Sequence, residues 1–231
     1  MANKVTDKRG TSAEKEVGEI VSRSEKFIEN NKKNISYGIV ALAVIIGAIL
    51  SYNYLYLAPK NDKANLALFK GEHYFQRDSF NIALNGNGFD YDGFEYITQQ
   101  YGGTKSGNLA KAYAGICYFK LGDIENAMKH LKSFSTNEDY ISPAITGLIG
   151  DCYVESGNIK EGISYFEKAA SKADNDLISP IFLKKAGLAY ENLRQFDKAL
   201  KAYTTIKEKH AGSMEAMDID KYITRVQLAN K

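Results

Sequence analysis

Gly115 to Phe134 reads GICYFKLGDIENAMKHLKSF, Gly150 to Ala169 reads GDCYVESGNIKEGISYFEKA, and Gly187 to Ile206 reads GLAYENLRQFDKALKAYTTI. Aligned on the leading glycine, each has a tyrosine three residues on (Tyr118, Tyr153, Tyr190) and a small residue twelve on (Ala127, Gly162, Ala199). A large apolar residue follows four later (Leu131, Phe166, Tyr203). The starts lie 35 and 37 residues apart, so the chain is an array of similar units rather than one irregular domain. Small residues at two facing points let a pair of helices approach closely, and the bulky residue fills the space around them. Gly122-Asp123 and Gly157-Asn158 supply a turn between the helices of a pair, glycine taking the left-handed conformation and Asp or Asn capping the next helix. Ser142-Pro143 and Ser179-Pro180 open the second and third pairs, where proline fits the first helical turn. Arg194-Gln195 replaces the glycine turn in the third unit, so a slightly different hairpin is expected there.

Outward from these units the pattern weakens. Ser213 to Asn230 reads as a capping helix, with Met217, Tyr222, Ile223 and Val226 set to cover the last pair. Residues 60 to 107 read as a degenerate unit. Lys60 to Arg77 is helical, with Gly71 and Tyr74 at the matching offset, and the polar insertion DSFNIALNGNGFDYDG (Asp78 to Gly93) delays the second helix to about Tyr91 to Tyr101.

No charged residue lies between Lys33 and Lys60, and Ile35 to Leu57 reads ISYGIVALAVIIGAILSYNYLYL. As a helix these positions form a rod of about 34 Å at ~1.5 Å per residue, enough to cross a hydrocarbon core of about 30 Å. Tyr52, Tyr54 and Tyr56 stand at the level of the headgroups. A cleaved signal peptide is the competing reading, but 34 mostly polar residues precede the run and no small-x-small cleavage site with a basic start close to residue 1 accompanies it. Eight Lys or Arg precede the span and four lie in the next 20 residues, which places the N-terminus in the cytoplasm. Ala43, Gly47 and Ser51 put three small side chains on one face, open either to another membrane helix or to no particular partner. Upstream, Val17, Ile20, Val21, Ser24, Phe27 and Ile28 follow helical spacing after a Thr11-x-x-Glu14 start, so residues 12 to 30 are expected to form an amphipathic helix.

Composition narrows the chemistry. The 231 residues hold 30 basic and 28 acidic side chains, and residues 58 to 231 hold 22 of each, so no field for nucleic acid is expected. Asp90-Tyr91-Asp92-Gly93 has the look of part of a calcium loop, but with Gly93 as the sixth loop residue the first and twelfth ligand positions fall on Gly88 and Gln99. His73, His130 and His210 belong to no metal-ligand spacing and read as surface or boundary residues. No nucleophile elbow, phosphate loop or dinucleotide glycine pattern occurs, so neither an enzyme, a cofactor, a metal nor a small-molecule substrate is expected. Cys117 and Cys152 share one offset in successive units. Equivalent points on packed helices lie about 8–10 Å apart, too far for a disulfide, so two buried free thiols are expected, with a redox pair the alternative.

The spacing of glycine, tyrosine, turn, small residue and bulky residue resembles the tetratricopeptide repeat. The resemblance implies a TPR-type helical solenoid of about three clear repeats, one degenerate repeat and a C-terminal capping helix, so with the apolar span before it the expected fold is all-α, a single N-terminal transmembrane helix followed by that solenoid. The expected divisions are 1–34 (cytoplasmic segment with amphipathic helix), 35–57 (transmembrane helix), 58–107 (degenerate repeat with insertion) and 108–231 (repeats and cap). In that family the first helices line a concave groove. Carried over position by position, the groove takes Leu109, Ala112, Ile116, Phe119 and Lys120 from the first repeat, and Ala144, Gly147, Asp151, Val154 and Glu155 from the second. The third gives Ile181, Lys184, Leu188, Glu191 and Asn192. Ala112 and Ile116 stand where a carboxylate clamp would need Lys and Asn, which argues against that mode. Apolar groove positions are open either to an extended or helical partner segment or to coverage by the chain's own helices.

The layout of cytoplasmic segment, span and repeat domain resembles the YfgM-like family of bacterial inner-membrane proteins. That resemblance implies a periplasmic repeat domain and an adaptor role in protein export, with translocon subunits, periplasmic chaperones or exported chains as partners. A scaffold subunit of an envelope secretion or outer-membrane assembly complex is the alternative, and a cytosol-facing adaptor would follow from reversed topology.

Overall fold

The computed structural model describes residues 9–230, with side chains described from Arg23 onward except for Ser24. Among the described residues there is no strand. The chain divides into two units, Met1–Pro59 and Lys60–Lys231.

The described residues of the first unit are helical. α1 runs unbroken from Arg9 to Ser51, so its helix begins before the expected Thr11 start and carries straight into the apolar run. The side chains of Val17, Ile20, Val21 and Ser24 lie outside the described residues, and Phe27 and Ile28 are exposed. From Ile39 to Leu50 every large apolar side chain is exposed, and the helix is long and apolar enough to cross a membrane. Tyr52–Leu57 then widens into a π-helical turn, with Ala58 N–H donating to the Asn53 carbonyl. Pro59 accounts for the widening, because it lacks an N–H and its ring crowds the carbonyl four residues back. Tyr52 and Tyr56 stack across this turn at 5.4 Å.

The second unit is built from helical hairpins. α2 (Ala58–Phe75), α3 (Phe80–Asn85) and α4 (Phe94–Tyr101) form the first; α5 (Lys105–Lys120) with α6 (Ile124–Ser133), α7 (Ile141–Glu155) with α8 (Ile159–Ala173), and α9 (Ser179–Asn192) with α10 (Phe196–Lys209) form the next three. A 3-10 turn, Glu215–Asp218, leads into α11 (Ile219–Ala229). Each leading glycine sits under the bulky residue of its own second helix. A methyl group on Gly115 would strike Leu131, on Gly150 Phe166, and on Gly187 Tyr203.

The first hairpin obeys the same rule by another route. Its second helix starts at Phe80, ahead of the start expected near Tyr91, and carries the small residue Ala83 fully buried. Gly86 ends it, a loop intervenes, and α4 resumes the helix. Phe94, with Tyr91, then fills the space over Gly71 that Leu131 fills over Gly115. The insertion splits one helix into two without changing what packs on the glycine. The Tyr91 hydroxyl donates to the Ala83 carbonyl at 2.6 Å and fixes the loop against α3. The Asp90 carboxylate, offered above as a fragment of a calcium loop, accepts from Asn87 Nδ2 at 2.7 Å and from Lys70 Nζ at 2.9 Å, which holds its pKa below the usual value.

All four hairpin turns share one geometry. Gly122 (φ 83°) and Gly157 (φ 81°) are left-handed, and Asp123 and Asn158 accept from the N–H groups of Asn126 and Glu161. The third repeat was expected to differ, yet Arg194 takes the same left-handed place (φ 55°), and Gln195 N–H reaches the Tyr190 carbonyl at 2.9 Å just as Asp123 N–H reaches Tyr118. Asp78 (φ 55°) does so in the first hairpin. The backbone hydrogen bonds therefore dictate the turn, and Arg194 adopts a conformation that costs a residue with a Cβ about 1–2 kcal/mol.

Successive hairpins are tied by polar contacts at a constant sequence separation. Asp151 pairs with Lys185, Asp176 with His210, Lys184 with Asp218, and Glu191 with Arg225, each 34 residues apart. The repeated tyrosines reach back too: the hydroxyls of Tyr118 and Tyr190 donate to Glu95 and Glu167. His130 is buried, not a surface or boundary residue, because it stacks on Tyr118 at 5.3 Å and its Nε2 lies 3.0 Å from Glu95 Oε2. Burial, the largest influence, pushes its pKa below 6.5 while Glu95 pulls the other way. At the C-terminal end Ile219 and Val226 are buried against α10, with Tyr222 and Ile223 partly so, whereas Met217 is 84% exposed and does not join the cap. Met217 falls in the 3-10 turn, which points it away from the last pair. Cys117 and Cys152 are free and buried, and burial pushes their thiols up to about 12 and about 11.

Replacing Arg194 by Gly is expected to raise stability by about 0.5–1 kcal/mol, and Gly122→Ala to lower it by about 1–2 kcal/mol. Urea unfolding of the two variants checks the pair; no gain in stability from Arg194→Gly would mean that the turns are not equivalent.

Candidate partner-binding cleft

Helices α7, α8 and α9 enclose a cleft of about 270 Å³ lined by Asp151, Val154, Phe166, Lys185, Leu188 and Asn192. The first and third helices meet here because Gly147 carries no side chain, and the Phe182 ring occupies the space above it. Lys185 Nζ donates to both oxygens of Asp151, at 2.8 and 2.7 Å, and lies 5.7 Å from the ring centres of Phe166 and Phe182. The charged pair is thus neutralised within the wall. Val154, Phe166 and Leu188 supply the apolar remainder, and Leu188 is 43% exposed. Such a cleft takes an apolar side chain from a partner and offers polar groups at its edge for the partner backbone.

The positions expected to line a groove are distributed unevenly. Asp151, Val154 and Leu188 converge on the cleft, with Asn192 beside them. Ile181, 38% exposed, and Glu155 lie open on α9 and α7. Leu109, Ile116 and Phe119 are half-buried members of the hydrophobic clusters, Ala112 is buried, and Lys120 is exposed. Ala144 is exposed and Gly147 buried. Lys184 Nζ is bound to Asp218 at 2.9 Å and lies 4.7 Å from the centre of the Tyr222 ring. The carboxylate of Glu191 accepts from the Tyr203 hydroxyl at 2.6 Å and from Arg225 at 2.7 and 2.9 Å, a fork that joins α9, α10 and α11. Burial and Glu191 raise the Tyr203 pKa. On α1, Ala43 and Gly47 are exposed, as is the last residue, Ser51.

Lys185 and Phe166 were missing from the sequence-derived groove. Phe166 belongs to a second helix, outside the positions transferred. Lys185 carried a usable signal in the form of an opposite charge, Asp151, one repeat earlier.

A stack of helical hairpins with an apolar cleft, tied at a one-repeat interval, defines a protein-interaction scaffold. Residues 113–137 and 185–213 match one tetratricopeptide repeat model, and residues 147–172 match another. These segments fall on the α5–α6, α9–α10 and α7–α8 pairs. No curated protein matches the chain. Among solved structures, the nearly identical TPR-like repeats of a Podosopora anserina protein described as a kinesin light chain are similar in fold: TM-score 0.56 at 13% identity, over 74% of this chain and 88% of that one. A point variant of the same protein gives TM-score 0.56 and 13% identity, over 74% and 87%. MamA gives 0.47 at 16% identity over 69% and 94%, a likeness too slight to carry an argument. The chain is therefore an all-helical TPR-type solenoid preceded by a long apolar helix.

Glu191→Gln is expected to cost about 1–3 kcal/mol, because it weakens two charge-assisted contacts at once. Amide exchange should accelerate chiefly in Ile219–Ala229; unchanged exchange there would show that the fork does not hold α11.

Proposed function

We propose that the chain is a non-catalytic, membrane-anchored adaptor that holds polypeptide segments in the α7–α9 cleft. The observation that supports this most is the open apolar side chain of Leu188 beside a charge pair already satisfied within the protein. A partner side chain buried there displaces water from apolar surface without stranding a charge.

The anchor in this proposal is the apolar part of α1 with the tyrosine-rich turn after it, residues 35–57. Its exposed Ile, Leu and Val side chains have a low-energy home in a bilayer, and Ala43, Gly47 and Ser51 offer the face for a second membrane helix. The excess of basic residues before the span favours a cytoplasmic N-terminus and a periplasmic repeat domain at a bacterial inner membrane. The remaining divisions are a cytoplasmic segment at 1–34, a split first repeat at 58–107 and the repeats with their cap at 108–231. Tethering keeps the cleft near chains emerging at the membrane and raises their effective concentration, so weak affinity suffices. The role proposed is accessory to protein export, with translocon subunits, periplasmic chaperones or exported chains as partners.

Photo-cross-linking in intact membranes from probes at Leu188 and Phe119, with a topology reporter fused after Lys231, tests this reading. Export components or exported chains should be captured at Leu188, and Leu188→Asp should reduce capture by other cleft probes at least fivefold. Recovery of only outer-membrane assembly machinery, or a reporter on the cytoplasmic side, would contradict it.

A further inference from the structure

A second cavity, of about 380 Å³, lies among α6, the loop that follows it, α7 and α8. Lys132 of α6 lines it, as do Lys168 and Lys172, one turn apart on α8. Thr136, Asn137 and Thr146 add hydroxyl and amide groups, and the half-buried Phe134 and Tyr165 supply apolar surface. Among the described residues, no carboxylate lines this cavity.

Some cations of the domain are neutralised within the fold. Lys70, Lys184, Lys185, Lys207, Lys221 and Arg225 each sit within salt-bridge distance of an Asp or Glu. Among the described residues, Lys132, Lys168 and Lys172 form no such pair. Lys132 Nζ donates instead to the Tyr153 hydroxyl, at 2.9 Å, and lies 4.8 Å from the centre of that ring. In the neighbouring repeats the matching tyrosines, Tyr118 and Tyr190, face glutamates. Here a cation has taken the place of the anion. Lys132 and Lys172 also lie in the last turns of their helices, where the macrodipole favours positive charge. That accounts for their individual positions but not for their convergence with Lys168 on one cavity.

We propose that this cavity binds an acidic peptide segment, with Asp or Glu side chains reaching the three lysines and one apolar side chain reaching Phe134 and Tyr165. A carboxylate-bearing ligand fits better than phosphate because the cations are lysines without the arginine fork that grips phosphate. The volume admits two or three side chains rather than a single small ion. This surface is separate from the α7–α9 cleft and stands or falls independently of it.

The test uses the full-length protein in detergent and a fluorescein-labelled octapeptide of Asp and Glu with one central Phe, followed by fluorescence anisotropy. Saturable binding is expected. It should weaken at least tenfold in the triple variant Lys132→Gln, Lys168→Gln, Lys172→Gln, and less than twofold in Lys198→Gln, Lys201→Gln, Lys209→Gln, which removes the same charge elsewhere. Leu188→Asp should leave it unchanged. Circular dichroism of each variant confirms that the helices are retained. No binding by the wild-type protein, or equal weakening in the two triple variants, would overturn the proposal. Displacement by inorganic tripolyphosphate at lower concentration than by unlabelled peptide would overturn the assignment of a peptide occupant.

Discussion

The contact between a leading glycine and one bulky side chain from the partner helix governs this molecule. Leu131, Phe166 and Tyr203 lie over Gly115, Gly150 and Gly187, and Phe94 lies over Gly71. Interior packing tolerates no void and little overlap, so a missing side chain on one helix and a large one on the next set the separation of each pair. The surfaces between pairs inherit that separation. The α7–α9 cleft has its width because Phe182 settles over Gly147, and its wall is neutral because Asp151 and Lys185 meet at a one-repeat interval.

The repeat itself was legible in the sequence because its rules are local and steric. Glycine, tyrosine, turn and bulky residue recur at fixed offsets whatever surrounds them, and the first pair is recognisable from Gly71 and Tyr74 alone. What the sequence obscured was how far backbone bonding overrides residue preference. Arg194 and Asp78 take the left-handed turn normally given to glycine because the hydrogen bonds to the Tyr190 and Tyr74 carbonyls demand it. The insertion of the first pair misled in a similar way. Its polar residues suggested a late second helix, whereas α3 begins on schedule and Phe94 restores the interrupted packing after the loop.

The cleft was legible in part. Asp151, Val154 and Leu188 occupy first-helix positions that the repeat places on one surface, so they could be named in advance. Glu191 occupied such a position too, but its carboxylate is engaged by Tyr203 and Arg225, groups that lie close only after α11 has folded back. His130 was misjudged for the same reason, since Glu95 and Tyr118 come together around it from separate helices. Pairs of opposite charge separated by one repeat were the overlooked signal. They mark which polar residues are used between repeats and so which remain for a partner.

The most direct measurement of the central contact is a double-mutant cycle on Gly150 and Phe166, read by urea unfolding. Gly150→Ala forces a methyl group against the ring and should destabilise by about 1–3 kcal/mol, and Phe166→Leu should cost a similar amount. If the two residues set one separation, the combined variant will lose clearly less than the sum of the two. Strict additivity would show that the glycine and the ring act independently and would contradict the account.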